Sequence, residues 1–319
     1  MKAWVIETLD QPMQLVEQPR PTPALGEVLV RVRAAGLNFA DLLMARGNYQ
    51  HRPTLPFIPG MELAGTVEAL GPGVTGVALG AHVAAYLPSG AFAEWAVVPV
   101  ARLLTLPEAM PFAHAAGFQI AYGTSHLALA DQARLQPGET LFVTGAAGGV
   151  GRTAVEIGHL MGARVIAQVR GDAKAALARA AGADVVIGDD VDLKAALREL
   201  GGVDVVYDTV GGPGFEAALR ATHPGGRMLA IGFAGGEVPQ VPLNQLLVRN
   251  VSVIGFWWGG YLTLAPQKMD ASLAELLDWY AQGKLKPHIS AELSLAELPQ
   301  GLEAIRNRSA TGKIVISLP

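Results

Sequence analysis

Cysteine is absent from all 319 residues. That single gap excludes disulfides, a thiol nucleophile and every thiolate metal ligand. The seven histidines, at 51, 82, 114, 126, 159, 223 and 288, never stand four apart, so no helix face carries a ligand pair and no metal site is expected. Charge is scarce as well: 16% of residues are charged, the net charge is -4 and no basic block occurs, which speaks against nucleic acid as the main partner. No apolar stretch reaches the roughly eighteen residues that a membrane span requires. The opening Met1-Lys-Ala-Trp-Val-Ile-Glu7 places an acid where a secretory signal would continue apolar, so a cytoplasmic location is expected.

What the chain has in quantity is apolar material. Half of its residues are hydrophobic, enough for a sizeable core, and the length suits two domains of ordinary size.

The most informative stretch is Leu141 to Gly151, which reads L-F-V-T-G-A-A-G-G-V-G. An apolar run enters a glycine-rich turn, and the residues after Arg152 carry helical spacing with Val155, Ile157 and Leu160 on one face. In such a strand, turn and helix, Gly148 lets the backbone approach a pyrophosphate, Gly151 lets helix and strand pack closely, and the helix amino end offers free N–H groups. The usual first glycine is Ala146 here. A second apolar run, Arg164 to Val169, follows at the distance of a right-handed crossover and completes a dinucleotide-binding unit of about thirty residues.

The end of that second strand selects the dinucleotide. A free ribose 2′-hydroxyl is usually held by an acid, whereas a 2′-phosphate needs positive charge. Arg170 and Lys174 stand there without a strand-end carboxylate, which favours NADPH; alternatively they are solvated charges at a helix start, and Asp172 caps that helix or binds ribose.

Taken in order, residues 1 to about 118 read as short strands (Lys2 to Thr8, Glu27 to Ala34, Glu62 to Leu70, His82 to Tyr86, Phe92 to Pro99) broken by Pro and Gly clusters, as in a compact barrel. From Pro111 to Leu129 the pattern turns helical. Strands at Leu141, Arg164, Asp184 to Ile187, Val203 to Asp208, Arg227 to Ile231 and Val251 to Ile254 then alternate with helices, giving parallel strands covered on both faces. A helix from Met269 to about Gln282, a short strand, a helix around Leu298 to Asn307 and a last strand, Lys313 to Ser317, break the alternation and are assigned back to the first domain. The expected boundaries are therefore 1–118 with 260–319 for one domain and 119–259 for the other.

Several segments recur together: Gly36-Leu-Asn-Phe-Ala-Asp41, Arg46-Gly-Asn-Tyr49, Leu55-Pro-Phe-Ile-Pro-Gly-Met-Glu-Leu-Ala-Gly65, Tyr122-Gly-Thr124, Leu135-Gln-Pro-Gly-Glu139, Gly145 to Gly151, Val205 to Gly212, Ile231 to Gly236 and Gly312-Lys-Ile-Val315. In this order the chain resembles, almost end to end, the zinc-independent medium-chain dehydrogenase/reductases, and within them the NADPH:quinone oxidoreductase or zeta-crystallin-like family. The resemblance implies a GroES-like β-barrel catalytic domain plus a doubly wound Rossmann domain that binds NADPH, and a homodimer.

In the zinc-dependent relatives Cys, His and Cys hold the catalytic metal. The segments that would supply the first two read Gly36-Leu-Asn-Phe and Gly60-Met-Glu here, so the resemblance implies hydride transfer without metal. The substrate class it implies is a quinone or an enone, whose conjugated oxygen takes negative charge through hydrogen bonds. It places Asn38, Asp41 and Tyr49 as catalytic candidates. As cofactor contacts it places Thr124, Ala147, Gly148, Gly149, Val150, Gly151, Arg170, Lys174, Asp208, Val210, Gly211, Ile231, Gly232, Phe233 and Lys313. Beside these stand plainer readings: Asp41 as a helix cap, Tyr49 as a half-buried aromatic, Glu62 as an orienting partner within its domain. Two departures matter: Gly188-Asp-Asp190 stands where several members carry a tyrosine for the 2′-phosphate and would repel it if close, and a second cleft tyrosine is Leu43. Alternative activities are a cofactor-binding protein with little catalysis, structural or RNA-binding, and an enoyl-thioester reductase, for which no basic channel is evident.

Overall fold

Residues 1–319 are described by a computed structural model, in which the chain leaves its first unit at Ile120 and returns to it at Pro287. The first unit is a seven-stranded, mainly antiparallel sheet of the GroES-like type. Its longest strand, Glu27–Gly36, sets Val28, Val30 and Val32 at the strand period of two, and all three are buried in its core. That strand pairs with Glu62–Leu70, Trp95–Pro99 and Lys313–Ser317. Ile289–Ser294 adds the one parallel pairing, alongside Lys313–Ser317. The amino-terminal strand, Lys2–Val5, is shorter than expected; it pairs with the four residues Gln14–Glu17, and Ala3 bridges Ala93 on its other side.

The second unit, Ala121–Lys286, is a doubly wound parallel sheet. Its strands lie in the order Val185–Ile187, Arg164–Gln168, Thr140–Val143, Val203–Asp208, Thr222–Ala230, Ser252–Gly255. Chain direction across the sheet therefore reverses beside Thr140–Val143, and the carboxyl ends of that strand and its neighbours are where such sheets bind ligands. Leu141, Phe142, Val143, Val165, Ile166, Val205 and Val206 are fully enclosed, as both-face coverage demands.

One boundary is corrected. Residues 260 to 286 belong to the second unit, because the helix Pro266–Ala281 buries Met269, Leu273 and Leu276 there and Ser272 hydrogen-bonds His126 at 2.8 Å. Helical spacing shows that one face is buried; it does not show against what.

Candidate active site

In the second unit the buried strand Thr140–Val143 runs into a turn at Gly145, whose φ of +59° suits glycine. Ala146 N–H donates to the Gln168 carbonyl at 3.1 Å and ties the turn to the next strand. Gly148 then caps the helix Gly149–Leu160 in an extended conformation. A Cβ at Gly151 would stand 2.2 Å from the Gly145 carbonyl oxygen, so helix and turn approach this closely only because the residue is glycine. Above Gly148 a Cβ would meet nothing but that same oxygen, at 3.3 Å. The space there is open to a ligand. The first N–H groups of the helix, on Gly149, Val150 and Gly151, have no acceptor within it and carry its positive dipole end. Ala147 through Gly151 are thus brought together in a turn whose chemistry can receive an anion.

Next to this turn, two loops at strand ends are stitched to each other. Thr144 Oγ1 donates to Asp208 Oδ1 at 2.5 Å, and the N–H groups of Val210 and Gly211 donate to the same carboxylate at 3.1 and 3.0 Å. Ile231 N–H donates to the Asp208 carbonyl at 2.9 Å, and Gly235 N–H to the Val210 carbonyl at 2.8 Å. Val210, Gly211, Ile231 and Gly232 therefore lie together, with Phe233 exposed on their rim. Asp208 is a correction. Expected as a cofactor contact, it is buried with its oxygens taken by Thr144 and the turn, and it shapes the loop instead. Thr124 is buried on the helix Gln119–Leu127.

At the end of the second parallel strand Arg170 is exposed, and its Nε lies 2.5 Å from Asp189 Oδ2. Asp189 comes from the Gly188-Asp-Asp190 loop, so the acid expected to repel a 2′-phosphate is close enough to hold Arg170. The guanidinium keeps the Asp189 carboxyl below its ordinary range. Lys174 lies in the first turn of the helix Asp172–Ala180 that follows, and its ammonium is lowered first by desolvation and then by the charge of Arg170. Gly171, at φ +78°, and not Asp172, occupies the N-cap of the helix Asp172–Ala180.

The first unit holds a buried polar cluster. Lys313 Nζ donates to Glu62 Oε1 at 2.6 Å, to the Leu37 carbonyl at 2.7 Å and to Asn38 Oδ1 at 2.8 Å, which uses all three ammonium hydrogens. Asn38 Nδ2 donates to Glu62 Oε1 at 2.9 Å, and Glu62 Oε2 accepts the Ile120 N–H at 3.1 Å. Gly36 makes room for it: a Cβ there would stand 2.6 Å from Glu62 Oε1 and 2.2 Å from the Ala116 carbonyl oxygen. One expectation is corrected here: Lys313 has no donor left for a cofactor in this arrangement. Asn38 is buried, with its amide bonded to Lys313 and Glu62. Glu62 is the orienting partner.

Asp41 sits on the helix Phe39–Ala45 and accepts the Asn38 N–H at 2.8 Å, the reciprocal half of a capping box. Its other oxygen, Oδ1, is buried with no partner. Burial pushes its carboxyl up to about 7, against the pull of the Asn38 N–H and Lys313. Tyr49 is half-buried near Tyr86. Tyr86 itself is raised above the ordinary phenol range, first by burial and then by Tyr49, with Glu62 and Asp41 adding to it.

Comparison with known proteins agrees with this geometry. Residues 24–108 match the family described as Alcohol dehydrogenase GroES-like domain, and residues 149–279 match Zinc-binding dehydrogenase. The quinone oxidoreductase-like protein 2 homolog of Nematostella vectensis is 37% identical over 325 residues, covering 99% of this chain and 88% of the relative. The chain belongs to the quinone oxidoreductase family of the medium-chain dehydrogenase/reductases. Among solved members, the quinone oxidoreductase of Thermus thermophilus, determined also in complex with NADPH, is 36% identical with a TM-score of 0.89, each chain covered in full (100% and 100%). The quinone oxidoreductase of Escherichia coli complexed with NADPH is 28% identical with a TM-score of 0.92, again over 100% of both chains.

For a member of the quinone oxidoreductase family, two features of the site have no signal along the chain. Tyr86 ends the strand His82–Tyr86 and pairs in register with Glu62, a cross-strand relation invisible before the register is known. Asp189 is legible as a charge, but its partner, nineteen residues earlier, is not.

Proposed function

We propose that the chain is an NADPH-dependent reductase that delivers hydride to a quinone or an α,β-unsaturated carbonyl without a metal ion. The observation that carries this reading is the Gly145 to Gly151 turn: an open backbone surface at Gly148 under a helix amino end, with Arg170 and Lys174 at the end of the next strand. These residues fit the cofactor. The helix N–H groups suit its pyrophosphate, and the two cations suit a 2′-phosphate once Arg170 exchanges Asp189 for it. When bound, NADPH supplies the hydride.

The metal-free part rests on donor chemistry. Without cysteine the zinc set of the relatives cannot form, and Glu62 and Asn38 give their oxygens to the Lys313 ammonium. Of the three catalytic candidates, Tyr49 is the one whose side chain is not enclosed, and we assign it the hydrogen bond to the substrate oxygen; Asp41 and Asn38 cap the helix Phe39–Ala45 that precedes it. A homodimer is supported by the sheet edge at Ser252–Gly255 and by the neighbouring helix Leu243–Arg249, whose Leu243, Leu247 and Val248 are exposed. NADPH oxidation with 1,4-benzoquinone, 9,10-phenanthrenequinone and a series of enals, beside NADPH binding by fluorescence, tests the reading. Turnover with one acceptor class is expected. Tight binding without turnover would leave a cofactor-binding protein, and no binding removes both.

A further inference from the structure

At the opposite end of the second unit's sheet, where the strands begin, a surface cavity of about 240 Å³ is lined by Arg198, Arg220, Arg249 and His223, with Gly201, Gly202 and Thr222 between them. One water needs ~10–15 Å³, so this open depression is wide enough to admit a polyatomic solute. Each arginine is fixed by the protein's own groups. Arg198 Nη2 donates to the Arg220 carbonyl at 3.1 Å, and Arg249 donates through Nη1 to the Leu219 carbonyl at 2.8 Å and through Nη2 to the Thr222 carbonyl. Neither has a carboxylate partner. Arg220 pairs with Glu216 at 2.6 Å, one turn back on its own helix.

His223 adds a fourth cation by geometry. Its Nε2 lies 2.7 Å from the Gly201 carbonyl and its Nδ1 lies 2.8 Å from the Asp204 carboxylate, two acceptors with no proton to give. Both ring nitrogens must donate, which only the imidazolium can do. Four cations therefore border the cavity and touch two carboxylates, Glu216 and Asp204. A guanidinium has five N–H donors in a rigid fork, and carbonyl capping uses one on Arg198 and two on Arg249, so the rest remain for a ligand.

We infer that this cavity is a second anion-binding site, separate from the dinucleotide turn, that takes a small phosphate-bearing dianion. Fork geometry and surplus charge suit tetrahedral oxygens held two at a time. Carboxyl ends of the helices Leu193–Glu199, Pro213–Ala221 and Leu243–Arg249 also meet here, and their dipoles alone call for nearby cations. The experiment must therefore separate an anion site from helix capping.

Inorganic pyrophosphate and inorganic phosphate are titrated into the intact protein, with potassium chloride at matched ionic strength as control. The readouts are the His223 ring resonances, identified from His223→Gln, and the melting temperature, each with and without saturating NADPH. We expect a saturable shift at His223 that NADPH does not abolish, and a loss of affinity of at least about tenfold in Arg198→Gln, an exposed position with a single carbonyl contact. Arg220→Gln serves as the second variant should Arg198→Gln fail to fold. A shift reproduced by chloride, no saturable shift, or a shift unchanged in the variant would mean that the arginines only cap helices, and the site falls. Because the His223 signal reports this end of the sheet, failure here is distinct from failure of the NADPH reading.

Discussion

The Lys313 ammonium and the Glu62 carboxylate lie 2.6 Å apart inside the first unit, with side chains 7% and 1% exposed. A buried pair of this kind contributes little over an apolar pair of equal volume, but breaking it strands a charge, at a cost of about 3–5 kcal/mol. Lys313→Met is expected to lower stability by that amount in urea unfolding, while the double variant Lys313→Met with Glu62→Gln recovers most of it. Equal losses in single and double variants would show that the two side chains do not act as a pair.

Asp41 gives the fold a pH dependence whose sign follows from its raised carboxyl. Between 3.8 and about 7 the folded protein keeps a proton that the unfolded chain has released. Stability therefore falls as pH rises through that window, by at most roughly 4 kcal/mol. Asp41→Asn keeps an acceptor for the Asn38 N–H and should flatten the curve, gaining stability at about pH 8, above the whole window. A parallel pH profile in the variant would assign the dependence to other groups.

In the proposed reading Arg170 holds the 2′-phosphate, and Asp189, 2.5 Å from its Nε, competes with that phosphate for the guanidinium. Asp189→Asn should tighten NADPH binding by about two- to fivefold, the range of an exposed ion pair, and leave NADH nearly unchanged. Arg170→Gln should weaken NADPH by a similar factor and spare NADH. Titration of both dinucleotides against both variants decides it; equal effects on NADH and NADPH would remove the 2′-phosphate from the argument.

Gly151→Ala puts a methyl group 2.2 Å from the Gly145 carbonyl oxygen. The turn and helix must separate, for about 1–3 kcal/mol of overpacking strain, and NADPH affinity should fall more than about tenfold. Gly236→Ala is a useful contrast, since its surroundings are open. Its φ of +90° still strains the backbone, so stability alone should suffer there while affinity holds.

Leu247→Asp places a charge on the exposed face of the helix Leu243–Arg249. Light scattering behind size exclusion should show a dimer in the parent protein and a shift toward monomer in the variant. A monomeric parent would end the dimer proposal.

Much of this protein is determined by local order along the chain. Continuous Val and Ile runs separated by helical spacing become a parallel sheet covered on both faces, and the Gly148 and Gly151 positions follow from steric needs that act within a few residues. The absence of cysteine excludes thiolate ligands and disulfides on its own, because no fold can supply a missing thiolate. Tertiary structure decided what depends on partners distant in sequence. Lys313, a cofactor contact by resemblance, is consumed by Glu62 and Asn38, 251 and 275 residues away, and Asp208, expected likewise, is consumed by Thr144. The helix Pro266–Ala281 found its unit through Met269, Ser272, Leu273 and Leu276, and the arginines at 198, 220 and 249 met only when three helix ends converged. Hydrophobic period and glycine sterics are short-range and readable in one dimension. Which charge satisfies which is a long-range question, answered by the burial that folding imposes.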